Sequence, residues 1–258
     1  MTSEMPVNSL DIMEYFDSIV LAQFQLTEDI FVLTAERKGV PAAAGQFFML
    51  KCWDKELTLM RPISIFKAEK DTLSFMYRVV GQGTHKLSEL KAGDTIHLLG
   101  ALGTGYPIGE MRGKVALVGG GLGIPPLCQT AKELSQQGVQ VDVFLGYRDQ
   151  LFAVEDFEPH CHGIFISTET GSEGYKGFIT DLLKPEQYDA VFTCGPEVMM
   201  RKVAALCAEK QTACWCSMEH RMACGIGACL GCSIRTTGGM KRVCKDGPVF
   251  RADEIFSV

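Results

Sequence analysis

Lys114 to Leu127 read KVALVGGGLGIPPL, an apolar run that ends in four glycines within five residues and restarts at two prolines. Val115 to Val118 predict a strand, the glycines a tight turn, and Pro125 or Pro126 the first turn of a helix, where a missing N–H costs nothing. The same grammar continues downstream: VQVDVFLGYR, IFISTET, FITDLLKPEQ and DAVFTCGPEVMMRKVAALCAEK alternate strand-like and helical runs. Such βαβ repetition predicts a parallel sheet with helices on both faces, spanning residues 111–211. Glycines at a strand-to-helix turn leave room for a pyrophosphate, which free amides and the positive helix end stabilise. The spacing is not G-x-G-x-x-G, so the turn alone also fits a purely structural role. DAVFTCGPEVMM strengthens the binding reading, because its strand ends in Cys194, Gly195 and Pro196 at the carboxyl edge of the same sheet, where ligands sit. Gly119, Gly120, Gly121 and Gly123 with Cys194, Gly195 and Pro196 are therefore the candidate nucleotide residues.

Before this unit the periodicity changes. FQLTEDIFVLTAER, QFFMLKCW, TLSFMYRVVG and TIHLLGALG are short alternating runs, broken by Gly, Asp and Pro about every ten residues, which predicts a small antiparallel β-barrel or sandwich over 18–110. Within it, RPISIF (61–66) and FMYRVVGQGT (75–84) place an arginine and a hydroxyl at a strand end and donors in a later glycine turn. These pieces suit a flavin and its phosphates, although each taken singly is ordinary barrel sequence.

After residue 211 the chain turns rich in Cys and Gly and loses periodicity, which marks 212–258 as a segment held together by what it binds. Cys224, Cys229 and Cys232 stand at C-x4-C-x2-C, and Cys244 follows after eleven residues. Plant-type [2Fe–2S] clusters use this spacing, with three ligands on one loop and the fourth further on. The intervening Gly225, Gly227, Ala228 and Gly231 let backbone amides approach sulfur. A tetrahedral zinc site is the competing reading, but zinc ribbons and knuckles offer two C-x2-C pairs and here there is one. Cys52, Cys128, Cys161, Cys207, Cys214 and Cys216 read as buried or incidental thiols, and the His160-Cys161-His162 triplet as a surface turn.

Composition narrows the setting. A formal charge of −6 and a pI near 5.4 argue against a nucleic-acid partner. No stretch approaches 18 uninterrupted apolar residues and the start of the chain lacks a signal-peptide pattern, so no membrane association and a cytoplasmic location are expected. In a reducing cytosol, clustered cysteines point to metal ligation or redox chemistry.

Taken in order, R-P-I-S, the glycine turn, the CGP and the cysteine-rich tail resemble the ferredoxin-reductase-like flavoproteins. SMEHRMACGIGACLGC, with STETGSEGYKGFITDLL (167–183), is similar to the electron-transfer subunits of two-component, NAD-linked dihydroorotate dehydrogenases. The resemblance covers nearly everything after about residue 18; residues 1–17 have no counterpart and read as an N-terminal extension. It implies that Arg61, Pro62, Ile63 and Ser64 contact FAD, that Met76, Tyr77 and Arg78 line the next strand, and that Gly83 and Thr84 bind the pyrophosphate. It further implies that the glycine turn and CGP hold NAD(H), and that Cys224, Cys229, Cys232 and Cys244 hold a [2Fe–2S] cluster. The implied partner is an FMN-containing catalytic subunit, assembled as a heterotetramer of two copies of each, with pyrimidine synthesis as its setting and no catalytic base on this chain. Two alternatives stand beside it: a diaphorase-type subunit of another complex, such as a hydrogenase, sulfite reductase or ferredoxin oxidoreductase, and a non-enzymatic metal-binding module. Arg148, after the second strand of the nucleotide unit, leaves NAD and NADP both open.

Overall fold

The computed structural model describes residues 13–256. Its elements are β1 (Glu14–Gln25), β2 (Ile30–Glu36), β3 (Phe47–Lys51), β4 (Arg61–Ala68), β5 (Thr72–Arg78), α1 (Gln82–Ser88) and β6 (Thr95–Leu102), followed by β7 (Lys114–Gly120), α2 (Pro125–Gln136), β8 (Gln140–Tyr147), β9 (Gly163–Thr168), β10 (Tyr175–Lys176), β11 (Ala190–Cys194), α3 (Glu197–Glu209) and β12 (Ala213–Ser217). The last segment holds β13 (Ser233–Thr236), β14 (Gly239–Arg242), α4 (Val243–Asp246), β15 (Val249–Arg251) and α5 (Ala252–Ile255).

β1 to β6 close into an antiparallel barrel in the order β1-β2-β5-β4-β3-β6. Strand alternation sends Leu33, Phe48, Phe75, Tyr77 and Leu98 into its core. β1 begins at Glu14, so the first strand runs through part of what the sequence left as an extension; residues 1–12 lie outside the described residues.

The second sheet has seven strands in the order β10-β9-β8-β7-β11-β12-β15, parallel except for β15, which pairs antiparallel with β12. The sequence assigned the last two strands at one side of this sheet, β12 and β15, to the cysteine-rich tail. Tail and nucleotide unit thus share one sheet. On β7, Val115 and Leu117 face the core beneath α2, whereas Ala116 and Val118 face the core beneath α3. This is the helix-on-both-faces arrangement that βαβ repetition predicts. FITDLLKPEQ, read as part of that alternation, folds instead into two single turns of 3₁₀ helix, Ile179–Asp181 and Pro185–Gln187. Pro185 removes a donor and fixes its own φ, which stops any longer helix.

α2 does two jobs. Leu127, Ala131 and Leu134 are fully buried on the sheet, each leucine contributing about 1.5–3 kcal/mol. Its other face meets the barrel, where the Ala68 amide donates to Gln129 Oε1 at 2.9 Å and the Ala44 amide to Glu133 Oε1 at 3.0 Å. Gln129 Nε2 donates to the same Glu133 oxygen at 2.8 Å, and burial pushes the Glu133 carboxyl above its ordinary range. Lys132 pairs with Glu69 at 2.6 Å, and Lys67 with Asp156, across the same seam. No helix among the described residues is long and apolar enough to cross a membrane.

Candidate functional site

The chain winds from β7 outward to β8 and β9, then returns to place β11 on the other side of β7. That reversal creates a crevice at the carboxyl ends of β7 and β11, the place where open α/β sheets bind ligands. Those two ends are the glycine turn and the CGP. They touch: a side chain on Gly123 would overlap the Cys194 and Gly195 backbone, and one on Gly195, whose φ is +147°, would come within 2.8 Å of the Gly120 carbonyl. Gly119 is pressed against Ile124 and Leu127, and Gly120 against Pro196 and Met199. Gly121, at φ +52°, faces open space. Most of these glycines therefore serve close packing of turn on turn, and Gly121 marks the open side. The helix N-terminus also differs from the sequence reading. Pro125 and Pro126 have no N–H, and the Ile124 and Leu127 amides bond to Gly121 and Ile124 carbonyls. Donors for a phosphate thus fall to the glycine turn rather than to the first turn of α2.

Beside the crevice lies a cavity of about 410 Å³, bordered by Arg61 to Ser64 of β4, Met76 to Arg78 of β5, Thr84, Leu122 and Cys194. Arg61 is positioned before any ligand arrives: its guanidinium lies 5.2 Å from the Trp53 ring centroid, donates to the Leu59 carbonyl, and fills the space a side chain on Gly83 would need. Such an arginine suits bidentate binding of phosphate. Thr84 spends its hydroxyl locally, accepting from the Val80 and Gly81 amides at 2.9 and 3.2 Å, so it shapes the start of α1. Tyr77 points away from the cavity into the barrel core, where its hydroxyl donates to Gln23 at 3.2 Å. Met76 and Arg78 are its outward neighbours, and Arg78 pairs with Asp29 at 2.9 Å.

The third side of the cavity comes from the tail: Ser217, Met218, Glu219 and Met222. The sequence reading did not single out Glu219. Its signal is one acidic residue two positions after the apolar strand ACWCS. The side chain meets solvent through the cavity mouth, yet the protein around it raises the carboxyl above its ordinary range. Burial pushes the Cys194 thiol up as well, with Glu219 adding to the effect.

Two residues beyond Met222 the cysteine loop begins. Gly225, at φ +72°, packs on Met49 of β3 and Leu102 of β6, so the loop rests against the barrel. The four cysteines are free thiols that fall into two pairs, Cys224 with Cys229 and Cys232 with Cys244, the second amide of each pair donating to the first sulfur. Amides converge on their sulfurs: Gly227 N–H donates to Cys244 Sγ at 3.1 Å, and Cys229, Gly231 and Cys244 amides donate to Cys224, Cys229 and Cys232 at 3.4 Å. Burial pushes the Cys224 thiol up, but the Cys229, Ile226 and Ala228 amides and the Cys229 thiol outweigh it and bring the group down to about 6. Cys244 is pushed up to about 12 by burial and by Cys232. The amides around Cys224 thus favour its thiolate, the ligating form. Among the described residues no group of three or more His, Cys, Asp or Glu side chains is gathered around a single point. Two thiol pairs cradled by glycines and amides fit a [2Fe–2S] cluster, whose two irons share four cysteines. Cys128, Cys207, Cys214 and Cys216 are buried and Cys52 and Cys161 half-buried.

Comparison with known proteins agrees with this geometry. Residues 219–256 match the iron-sulfur cluster binding domain of dihydroorotate dehydrogenase B. The chain is 48% identical over 211 residues to the dihydroorotate dehydrogenase B (NAD(+)) electron transfer subunit of Clostridium acetobutylicum, covering 82% of this chain and 85% of that protein. It is 41% identical to the subunit of Clostridium perfringens, covering 94% and 98%. Among solved structures, one of an NADH-dependent reduced ferredoxin-NADP oxidoreductase superposes with a TM-score of 0.84 at 30% identity, covering 93% of this chain and 89% of that one. A Neisseria gonorrhoeae ferredoxin NADP+ reductase with bound FAD and NADP shares the fold at 18% identity, TM-score 0.66, covering 80% and 94%. The barrel, the parallel sheet with its switch-point crevice and the four-cysteine tail are thus those of a ferredoxin-reductase-like protein, and by identity over most of its length the chain belongs to the family of dihydroorotate dehydrogenase B (NAD(+)) electron transfer subunits.

Proposed function

We propose that this chain carries electrons between a partner subunit that oxidises dihydroorotate and NAD+, in the cytoplasmic synthesis of pyrimidines. When bound, FAD exchanges electrons singly or as hydride, and the [2Fe–2S] cluster exchanges them singly. The chain's own residues bind and align. Arg61 and the backbone of Gly83 hold the flavin phosphates, Pro62, Ser64 and Met76 face the ring while Ile63 contributes backbone and packs into the barrel core, and Gly121 with the Cys194–Pro196 turn receives the nicotinamide nucleotide. Cys224, Cys229, Cys232 and Cys244 hold the cluster. The observation that carries this reading is contiguity: the cavity is walled on one side by the switch point, on another by β4 and β5, and on the third by Met218 and Met222, which lead directly into the cysteine loop.

A docking face supports the partner. Ile226, Leu230 and Met240 expose 40%, 63% and 65% of their surface around the cysteines, and Arg221, Arg235 and Lys245 are exposed beside them. Leu230 holds its apolar side chain outward from a left-handed backbone, φ +59°, a conformation that costs energy for a non-glycine residue and recurs at functional sites. Leu230→Glu is expected to weaken copurification with the partner about tenfold or more, from the loss of an apolar contact worth roughly 1.5–3 kcal/mol. Its visible spectrum should stay that of the parent. Undiminished copurification would place the docking face elsewhere.

The partner in this reading carries FMN, and the assembly holds two copies of each subunit. A diaphorase-type role in another complex is the second reading, favoured by the likeness to the NADH-dependent reduced ferredoxin-NADP oxidoreductase. One assay separates them: the complex purified gently on a tag from native cells is supplied with dihydroorotate and NAD+. NADH formation supports the first reading. A flavin- and cluster-bearing complex that ignores dihydroorotate supports the second.

A further inference from the structure

Three of the four cysteines lie on one loop and Cys244 on α4, with eleven residues between it and Cys232. A site built from two pieces of backbone needs something to fix their separation. The N–H···S bonds end on sulfur, a weaker acceptor than oxygen, and a stronger tie lies behind them. Arg242, the last residue of β14, sends its Nε to Asp246 Oδ2 and its Nη2 to Asp246 Oδ1, both at 3.0 Å, while its own amide donates to Asp246 Oδ2 at 2.7 Å. The remaining arm, Nη1, crosses to the cysteine loop and donates to the Gly227 carbonyl at 3.2 Å. Gly227 is the residue whose amide donates to Cys244 Sγ at 3.1 Å. One glycine is therefore gripped from both sides, by arginine at its carbonyl and by the ligand sulfur at its amide.

The surroundings leave little freedom. Gly227 has φ +80°, and a side chain there would come within 2.8 Å of Lys245 Cδ and 3.4 Å of Arg242 Nη1. The side chains of Arg242 and Asp246 are 31% and 29% exposed, against 49% and 66% for Arg251 and Asp253 nearby. A planar five-donor fork held by a carboxylate at two points can span hairpin, helix and loop at once, which an ammonium cannot.

We propose that Arg242, held by Asp246, is a positioning residue for the cluster, fixing Gly227 so that its amide bonds the Cys244 sulfur. This inference rests on the assignment of the four cysteines as cluster ligands. The fork is close to neutral as a unit, so its influence passes through geometry. A hydrogen bond to a ligand sulfur favours the more negative, reduced state, and cluster potentials follow such bonds. Weakening it lowers the midpoint potential.

The test uses the full chain in its complex, reduced stepwise and followed by electron paramagnetic resonance, with iron, labile sulfide and FAD counted per chain. Arg242→Gln and Asp246→Asn are each expected to shift the midpoint to more negative values and to alter the g-values, with FAD content unchanged. Arg242→Lys, which keeps the charge and loses the fork, is expected to follow the Gln variant. Parental midpoint and g-values in both Arg242→Gln and Asp246→Asn would overturn the proposal. So would a parental midpoint in Arg242→Lys beside a shifted one in Arg242→Gln, which would make charge alone responsible. An unsubstituted complex with FAD and no iron–sulfur signal would instead remove the ligand assignment on which the proposal stands.

Discussion

Cys229→Ser is expected to yield a protein that retains FAD and still oxidises NADH with two-electron dyes, but that no longer exchanges electrons with its partner. Cys229 is the exposed member of the four, and it supports its neighbour: its amide and thiol help draw Cys224 down to about 6, against the burial that pushes Cys224 up. Serine removes one soft thiolate ligand, so the site binds iron less well. Loss of an outer-shell partner alone typically costs about 10–100-fold in metal affinity; loss of a ligand should exceed that and abolish the cluster. Labile sulfide, the reduced-cluster resonance and the ratio of partner-linked to dye-linked turnover measure the effect. Partner-linked turnover at the parental rate would exclude these cysteines from the electron path. The dye-linked rate serves as the internal control, because the nicotinamide crevice and the flavin cavity lie outside the altered loop.

Arg61→Ala and Gly83→Val form the second pair. The first removes the guanidinium. The second keeps it but occupies its place, since the side-chain position of Gly83 coincides with the Arg61 guanidinium as the structure stands. Both should lower FAD affinity by about 10–100-fold, the equivalent of one charged hydrogen bond worth roughly 1.5–3 kcal/mol. The ratio of flavin to protein absorbance after dialysis, with a calorimetric titration of FAD, measures it. Full flavin occupancy in both variants would move the phosphate site away from β4. Reduced occupancy in Arg61→Ala alone would show that the arginine has a second productive position, away from Gly83 and Trp53.

How much of this was legible in the chain depends on what kind of information each element carries. KVALVGGGLGIPPL was readable because strand, turn and helix signals are local and appear in series. C-x4-C-x2-C was readable because metal ligation fixes both residue type and spacing. The orientation of Tyr77 was legible in TLSFMYR, whose alternation sends Leu73, Phe75 and Tyr77 to one face and Thr72, Ser74, Met76 and Arg78 to the other; the resemblance instead took Met76, Tyr77 and Arg78 together as one lining. That β12 and β15 pair in the sheet of the nucleotide unit was not legible. ACWCS and VFR are too short to declare a sheet by themselves, and their pairing is a long-range property. Glu219 is a single residue without a motif, visible as a site component only once β4, β5 and the tail enclose it. Pro125 and Pro126 were read correctly as helix starters, but their consequence for phosphate binding, the loss of donors, emerges only when the bonds of Ile124 and Leu127 are counted.

The seam between α2 and the barrel has a consequence for how such a protein can be divided. The helix that follows the nucleotide turn is the same helix whose Gln129 and Glu133 receive the Ala68 and Ala44 amides. Grafting a barrel from one relative onto the sheet of another would leave those two acceptors facing a foreign backbone register. The same helix packs on a strand that pairs with β8 and β11, so barrel, helix and sheet are expected to travel together, and the inherited unit of recombination is larger than either domain.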